Sequence, residues 1–196
     1  MIALSCTLIV DVDGTIIPIL IDFEELRSRV RSVLGVNESL RPLGESLHKL
    51  PLNESLKKEA WRIIEEAELD SVNRLNVNDV KENIEIIKWA ISIGVKLIIV
   101  TTRSYRTTRL ILEKLNLVNL AIEIVTRDFT PIRVDQLKYV KEKYGDRVVF
   151  IGDTIYDENA AREVGVEFMR VENFKELPKA IKRSIHMCLE GRKIWV

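Results

Sequence analysis

The sequence predicts an α/β fold in which helices cover both faces of a parallel sheet. Short apolar runs alternate along the chain with segments of helical periodicity. Several of these runs are continuously apolar, as in strands that are buried on both faces. Regular alternation of strands and helices is typical of a parallel sheet wrapped by helices. The predicted strands lie near residues 5–10, 96–101, 121–125, 147–151 and 166–171.

Length and composition restrict the class of protein. The 196 residues suit one medium-sized domain, or a core with a modest insertion. Lys and Arg together number 30, as do Asp and Glu, so no overall field favours nucleic acid or a membrane surface. The apolar start of the chain has no basic segment and no small-residue cleavage site, so we expect a soluble cytoplasmic protein. The oligomeric state stays open.

Cysteine usage gives one further expectation. The two cysteines, Cys6 and Cys188, are too few for a disulfide framework. We therefore expect both to be reduced side chains that pack in the core.

Two carboxylates and a glycine directly follow the first predicted strand. The run Leu8-Ile9-Val10 leads into Asp11-Val12-Asp13-Gly14-Thr15. Carboxylates are among the residues least often buried, so a pair of them at the end of a buried strand suggests a cation site or catalytic work. The alternative is an Asx-type turn that only ends the strand.

A long excursion separates the first two strands. A crossover between parallel strands needs only one helix, so this segment contains an insertion, at about residues 21–76. Asp22 and Glu25 form a capping-box-like start for one helix, and a longer helix is predicted from about Asn53. The predicted insertion is therefore helical.

The chain returns to the sheet through a predicted helix that Asn78 caps and Gly94 ends. The strand that follows ends at Thr101. In open parallel sheets, ligands bind beyond the carboxyl ends of the strands. Asp11, Thr101 and Asp153 each fall at such an end, so we expect them to lie close together.

The order of these motifs resembles that of the haloacid dehalogenase-like hydrolase superfamily. The D-x-D-G-T signature is present at 11–15, a Thr ends the second strand at Thr101, and an acidic G-D-x-x-x-D is formed by Gly152, Asp153 and Asp157. The resemblance spans about residues 4–171, and its first and last motifs are the specific ones. It implies a Rossmann-like core, at 1–20 and 77–196, with a small α-helical cap domain inserted at 21–76.

The resemblance also implies residue roles. Asp11 would be the nucleophile and a metal ligand, and Asp13 would serve as general acid and then general base, with its main-chain carbonyl as a further ligand. Thr101 would hydrogen-bond a phosphoryl oxygen. Asp153 would be the third metal ligand, and Asp157 would support it or bind a metal-bound water, although Asp157 could also be a simple helix N-cap. Oxygen ligands of this kind favour Mg²⁺.

The third motif departs from the common pattern, because many relatives have Lys-Pro where this chain has Thr130-Pro131-Ile132-Arg133. Arg133 and Lys138 are both candidates for the basic residue. We favour Arg133, since a helix start can point at the site, whereas Lys138 lies past a helical turn and is expected to be solvated.

Other polar residues are assigned to the surface. Arg103 follows the second strand and is expected to be solvated. His48, a lone histidine on a helix, is expected to be a surface or packing residue, and His186 lies outside the stretch that resembles the family. The insertion carries Arg27, Arg31 and Arg41, which could draw an anionic substrate towards the site. We expect solvated helix faces for all three.

The predicted function is that of a Mg²⁺-dependent phosphatase acting on a small phosphorylated metabolite. A phosphomutase on the same core and a non-catalytic binding protein that keeps the fold are the alternatives. A dehalogenase is disfavoured because such relatives lack the second carboxylate that Asp13 supplies. A response-regulator receiver is excluded because its acidic pair and its acceptor Asp occur in a different order.

Overall fold

The computed structural model of this protein describes residues 6–145 and 147–190. The strands are β1 (Thr7–Val10), β2 (Lys96–Val100), β3 (Glu123–Val125), β4 (Val148–Gly152) and β5 (Glu167–Arg170). The helices are α1 (Phe23–Leu34), α2 (Leu43–Lys49), α3 (Glu54–Arg74), α4 (Lys81–Ser92), α5 (Tyr105–Lys114), α6 (Arg133–Tyr144), α7 (Ile155–Val164) and α8 (Leu177–Glu190). Short 3₁₀ helices cover Val77–Val80 and Phe174–Glu176. Within the described ranges, no helix combines the length and the hydropathy needed to cross a bilayer.

The strands form one parallel sheet of order β3-β2-β1-β4-β5, which confirms the predicted α/β class. Each observed strand overlaps a predicted one. Two parts of the predictions lie outside the described residues: the start of the first strand at Ser5, and residues 191–196 of the predicted core domain. β1 is central, with Val10 beside Ile99 of β2 and Ile151 of β4. The carboxyl ends of β1, β2 and β4 are therefore neighbours.

Both faces of β1 are buried, which explains its apolar run Leu8-Ile9-Val10. Leu8 and Val10 belong to the apolar cluster under α4, α5 and α8, whereas Ile9 belongs to the cluster under α6 and α7. Because neither face of the strand meets water, residues 8–10 are all apolar, and only Thr7 at its start is polar.

Helices α1 to α3, which we call the insertion, pack around an apolar cluster of their own that includes Val30, Leu47 and Ile64. Asp22 starts α1 by accepting hydrogen bonds from the main-chain N–H groups of Glu24 and Glu25, and Asn53 starts α3 in the same way. Helix α2 was not predicted, because seven residues show too little periodicity to separate a helix from a loop.

The start of α4 differs from the prediction. Asn78 does not cap α4, which begins after Val80 without a side-chain cap. Asn76 caps the preceding 3₁₀ helix, and its side chain accepts from the N–H of Asn78 at 3.2 Å. The chain enters α4 through the 3₁₀ helix Val77–Val80, so Asn78 lies inside that helix and not at the start of α4.

The expectation of reduced cysteines is wrong, because Cys6 and Cys188 form a disulfide with a Cα–Cα distance of 5.5 Å. The two residues are 182 positions apart and meet because α8 folds back across the amino end of β1. Spacing in the sequence gives no sign of such a long-range contact. The disulfide ties the last described helix to the central strand.

Candidate active site

The carboxyl ends of β1, β2 and β4 open into one cavity of about 510 Å³. Its lining includes the six residues Asp11, Asp13, Thr101, Arg133, Asp153 and Asp157, to which the family resemblance assigns roles. Lys138, the other candidate for the basic residue, is exposed on α6 and is not part of this lining. The cavity is lined by side chains from the core and from the insertion, so a ligand inside it would contact both.

A tight loop presents the two carboxylates of the first motif. The N–H of Asp11 donates to the carbonyl of Ile151, which extends the β1–β4 pairing by one residue, and Gly14 then turns the chain with φ +75°. A Cβ atom at position 14 would lie 2.1 Å from Oδ2 of Asp153. Glycine is therefore required both for the backbone conformation and for the close approach of Asp153.

Asp11, Asp153 and Asp157 form an acidic cluster, in which one oxygen from each carboxylate lies within 4.8 Å of the others. Burial raises the pKa of Asp11 well above its ordinary value; the Arg133 guanidinium opposes this, and the charges of Asp157, Asp153 and Asp13 add to it. Burial and the Asp157 charge raise the pKa of Asp153 to about 6. Negative charge is thus concentrated where little water can solvate it.

This donor set fits a hard divalent cation. Oδ1 of Asp153 is buried and has no hydrogen-bond partner among the described residues, so one acceptor of the cluster is left for a ligand. Carboxylate oxygens at this spacing are the ligands that Mg²⁺ and Ca²⁺ take in proteins. A bound cation would also stabilise the ionised carboxylates.

Arg133 connects the members of the cluster. Its Nη2 lies 3.0 Å from Oδ1 of Asp11, and its Nε lies 2.9 Å from Oδ1 of Asp157. Arg133 is the first residue of α6, and the side chain of Gln136, one turn later, accepts from Nη1 at 3.2 Å. Gln136 also donates to the main-chain carbonyls of Thr101 and Thr130. Sequence analysis did not single out Gln136, although it lies on the same helix face as Arg133.

Thr101 and Asp157 are both fixed by main-chain contacts. The Thr101 hydroxyl oxygen accepts from the N–H of Arg103 at 3.3 Å, so its own proton is left to be donated. Asp157 is not the N-cap of α7; the cap is Thr154, and Asp157 completes a capping box by accepting from the Thr154 N–H. A Cβ at Gly152 would lie 3.0 Å from Asp157, so the glycine leaves room for this carboxylate.

Asp13 is held by a different arginine. Arg103 donates from Nε to Oδ2 of Asp13 at 2.6 Å and from Nη2 to Oδ1 at 2.7 Å, a bidentate pair. The expectation that Arg103 is solvated is wrong, because the residue is only 1% exposed. Its Nη2 also donates to Ser71 Oγ at 2.8 Å, and its Nη1 to the main-chain carbonyl of Glu68 at 3.4 Å.

Glu68 and Ser71 belong to α3, so the insertion takes part in holding Asp13. The Glu68 carboxylate is itself buried, paired with Arg127, and accepts from Thr107 Oγ1 at 2.7 Å. Sequence analysis missed Glu68, Ser71 and Arg127. One signal was available, since Glu68 and Ser71 follow Ile64 at four and seven residues and so interrupt the apolar stripe of α3.

The remaining candidates divide into two groups. His48 and His186 are exposed, and neither lines the cavity. Arg31 is half-buried and also lies outside the lining, whereas Arg27 and Arg41 are part of it. The expectation of a solvated helix face is therefore wrong for Arg27, which is buried, but Arg41 is exposed.

Comparisons with solved structures identify proteins of the same fold. Among solved structures, a hydrolase from Pseudomonas syringae superposes with a TM-score of 0.66 at 18% identity, over 91% of this chain and 90% of that one. A haloacid dehalogenase-like family hydrolase from Streptococcus pneumoniae gives a TM-score of 0.59 at 19% identity, over 90% and 91%. A predicted phosphoglycolate phosphatase from Haemophilus somnus gives 0.57 at 18% identity, over 87% and 86%. At these identities the similarity shows the fold alone. No curated protein matches the sequence.

A family model provides the assignment. The model of haloacid dehalogenase-like hydrolases matches residues 8–171, a stretch that runs from β1 to the end of the sheet. It contains the acidic cluster, both arginines that hold the first-motif carboxylates, and the whole insertion. The chain therefore belongs to the haloacid dehalogenase-like hydrolases.

Proposed function

We propose that this hydrolase is a Mg²⁺-dependent phosphatase that acts on a small organic phosphate ester through an aspartyl-phosphate on Asp11. The observation that carries the proposal is the second carboxylate, Asp13, which lines the same cavity as Asp11. Cleavage of a phosphate ester requires a proton for the departing alcohol, whereas departure of a halide does not. A pair of carboxylates in these positions therefore favours hydrolysis of a phosphate ester over removal of a halide.

Positive charge beside Asp11 supports the first step. The phosphoryl oxygens repel an anionic nucleophile, so the reaction needs cationic groups and hydrogen-bond donors around them. Arg133, 3.0 Å from Asp11, and the hydroxyl of Thr101 are such groups. Bound Mg²⁺ would supply further charge neutralisation, with Asp11, Asp153 and the main-chain carbonyl of Asp13 as its ligands and Asp157 as their support.

The two carboxylates would then divide the work. An Asp11 oxygen forms a bond to phosphorus while the bond from phosphorus to the ester oxygen breaks. Both Asp13 oxygens accept from Arg103 in this structure, so Asp13 would first exchange one of these contacts for a proton from solvent and then give that proton to the ester oxygen. In the second step Asp13 takes a proton from water, the water oxygen attacks phosphorus, and the bond to Asp11 breaks. Inorganic phosphate leaves, and both carboxylates return to their starting states.

The insertion would act as the cap that closes over the substrate, a small phosphorylated metabolite. We place the reaction in the cytoplasm. The Cys6–Cys188 disulfide is compatible with the cytoplasm of organisms whose intracellular proteins keep disulfides, such as hyperthermophilic archaea and bacteria.

The test compares two reactions of the purified protein. Hydrolysis of 4-nitrophenyl phosphate is measured with Mg²⁺, after chelation with EDTA, and after Mg²⁺ is restored, and chloride release is measured with 2-chloropropionate. We expect phosphate release that EDTA abolishes and Mg²⁺ restores. Chloride release without phosphate release, or phosphate release that EDTA leaves unchanged, would contradict the proposal.

A further inference from the structure

Two arginines of the insertion line the same cavity as Asp11. Arg27 lies on α1 and Arg41 lies just before α2. Arg27 is only 8% exposed, although it lies on a helix whose other arginines are exposed or half-buried. Burying a guanidinium costs free energy unless an opposite charge neutralises it and acceptors take up its hydrogen bonds. The partners of Arg27 therefore show whether its charge is compensated within the protein.

The positive charge of this pair is only partly compensated. Glu24 accepts from Nη2 of Arg27 at 2.5 Å and also pairs with Nη2 of Arg41, so one carboxylate serves two guanidinium groups. Nε of Arg27 is buried without a hydrogen-bond partner among the described residues. Two glutamates also line the cavity: Glu45 pairs with Lys49, and Glu163 is exposed on α7, at the core side. One unit of positive charge is therefore left at the insertion side of the cavity.

Apolar and aromatic side chains make up much of the remaining lining. Phe23 and Leu43 come from the insertion, Ile19 from the segment before α1, and Tyr156 from the start of α7. Ile19 is 54% exposed and Tyr156 is 43% exposed, a large apolar surface to leave beside a cavity of about 510 Å³. This volume falls in the range of sites for small organic ligands.

We propose that Arg27 and Arg41 form an anion subsite, which binds a second negatively charged group of the substrate. The substrate is then a phosphate ester with an apolar body and either a carboxylate or a second phosphate. The subsite rests on the proposed function, since the phosphoryl group must occupy the acidic end beside Arg133. Planar carboxylate and phosphate groups suit the donor fork of arginine, which supplies both charge and direction.

The test measures binding, so that it does not depend on turnover. Titration calorimetry with Mg²⁺ present compares 4-carboxybenzylphosphonate with its neutral amide, 4-carbamoylbenzylphosphonate, which has nearly the same shape. The unsubstituted benzylphosphonate reports on the phosphoryl site alone. A third ligand, 1,4-bis(phosphonomethyl)benzene, distinguishes a phosphate from a carboxylate as the second group.

Four proteins are compared: wild type, Arg27→Gln, Arg41→Gln and the control Arg29→Gln. Arg29 is exposed on α1 and lies outside this cavity. We expect wild type and the control to bind the acid or the bisphosphonate at least about tenfold more tightly than the amide, as a charge-assisted contact predicts. In Arg27→Gln the ratio of the amide Kd to the acid or bisphosphonate Kd should fall towards one. In Arg41→Gln this ratio should fall less, because Arg41 is more exposed. Arg27→Lys keeps the positive charge but lacks the planar donors of the guanidinium, so it should give an intermediate ratio. This variant also provides a test of the subsite if Arg27→Gln does not fold.

The outcomes separate the two proposals. If wild type binds the acid, the bisphosphonate and the amide equally well, the proposed subsite is wrong. Binding of benzylphosphonate in the same experiment would still support the proposed phosphoryl site. A ratio that persists in both Arg27→Gln and Arg41→Gln also overturns the subsite. Failure of every phosphonate, benzylphosphonate included, overturns the proposed function together with the subsite.

Discussion

Asp11 and Asp13 are two residues apart in one loop, yet they are held by different parts of the molecule. Asp11 contacts Arg133 of α6 and lies beside Asp153 and Asp157, all of which belong to the core. Asp13 is held by Arg103, and Arg103 is held in turn by Ser71 and Glu68 of α3, within the insertion. We call these two arrangements the Asp11 centre and the Asp13 centre.

The comparison suggests a way in which the insertion could influence the proposed chemistry without contacting Asp11. The Asp11 centre depends on strand ends and helix starts that the sheet fixes rigidly. The Asp13 centre includes a side chain and a main-chain carbonyl from α3, so its geometry depends on how α3 lies against the core. A displacement of α3 would therefore change the position of the proposed acid and base before it changed that of the nucleophile.

The largest expected effect comes from removing the nucleophile. Asp11→Asn should reduce phosphate release to the level of the buffer blank, because an amide cannot form the aspartyl-phosphate. Asp13→Asn should reduce kcat by roughly a hundredfold to ten-thousandfold, the usual contribution of general acid–base catalysis. Steady-state assays with 4-nitrophenyl phosphate measure both, and circular dichroism checks the fold. Wild-type rates in either folded variant would contradict the division of roles between the centres.

The next largest effect should come from Arg133. Arg133→Ala removes the guanidinium from both Asp11 and Asp157, and the loss of such a charge typically costs on the order of a hundredfold or more in rate. Lys138→Ala, on the same helix but exposed, is the matched control and should change kcat little. If Lys138→Ala proved the more damaging, the basic residue of the Asp11 centre would be misassigned.

A smaller effect is expected at the Asp13 centre. Arg103→Lys keeps the charge but loses the two-point contact with Asp13, and a misplaced catalytic group costs on the order of tenfold to a hundredfold in rate. We expect kcat to fall more than KM changes, and Ser71→Ala to have a weaker effect in the same direction. Arg109→Gln is the control, since Arg109 is exposed and its side chain contacts Glu113 and Tyr105, neither of which belongs to the two centres. An unchanged kcat in Arg103→Lys, with only thermal stability lowered, would mean that Arg103 is purely structural.

The two centres also differ in how far the sequence predicts them. Every member of the Asp11 centre follows a strand or opens a helix, and the order of these elements is visible as hydrophobic periodicity. Arg103 follows a strand as well, but Ser71 and Glu68, which hold it beside Asp13, are on an inserted helix whose packing no local pattern specifies. The same limit applies to the disulfide, since the contact between Cys6 and Cys188 exists only once α8 has folded back onto β1.

The smallest expected effect on turnover, although not on stability, comes from that disulfide. Cys6 precedes β1, whereas both centres follow it, so loss of the disulfide should leave kcat unchanged well below the unfolding temperature. Closing so long a loop restricts the unfolded chain by about 5 kcal/mol in the loop-entropy treatment, which corresponds to roughly 10–20 °C in Tm for a protein of this size. Thermal unfolding with and without dithiothreitol measures the shift, and Cys188→Ala, which should not respond to the reductant, is the control. Equal Tm values for oxidised and reduced wild type, or two free thiols in unreduced denatured protein, would contradict this prediction. A parallel loss of kcat would instead show that the amino end of β1 influences the geometry of the two centres.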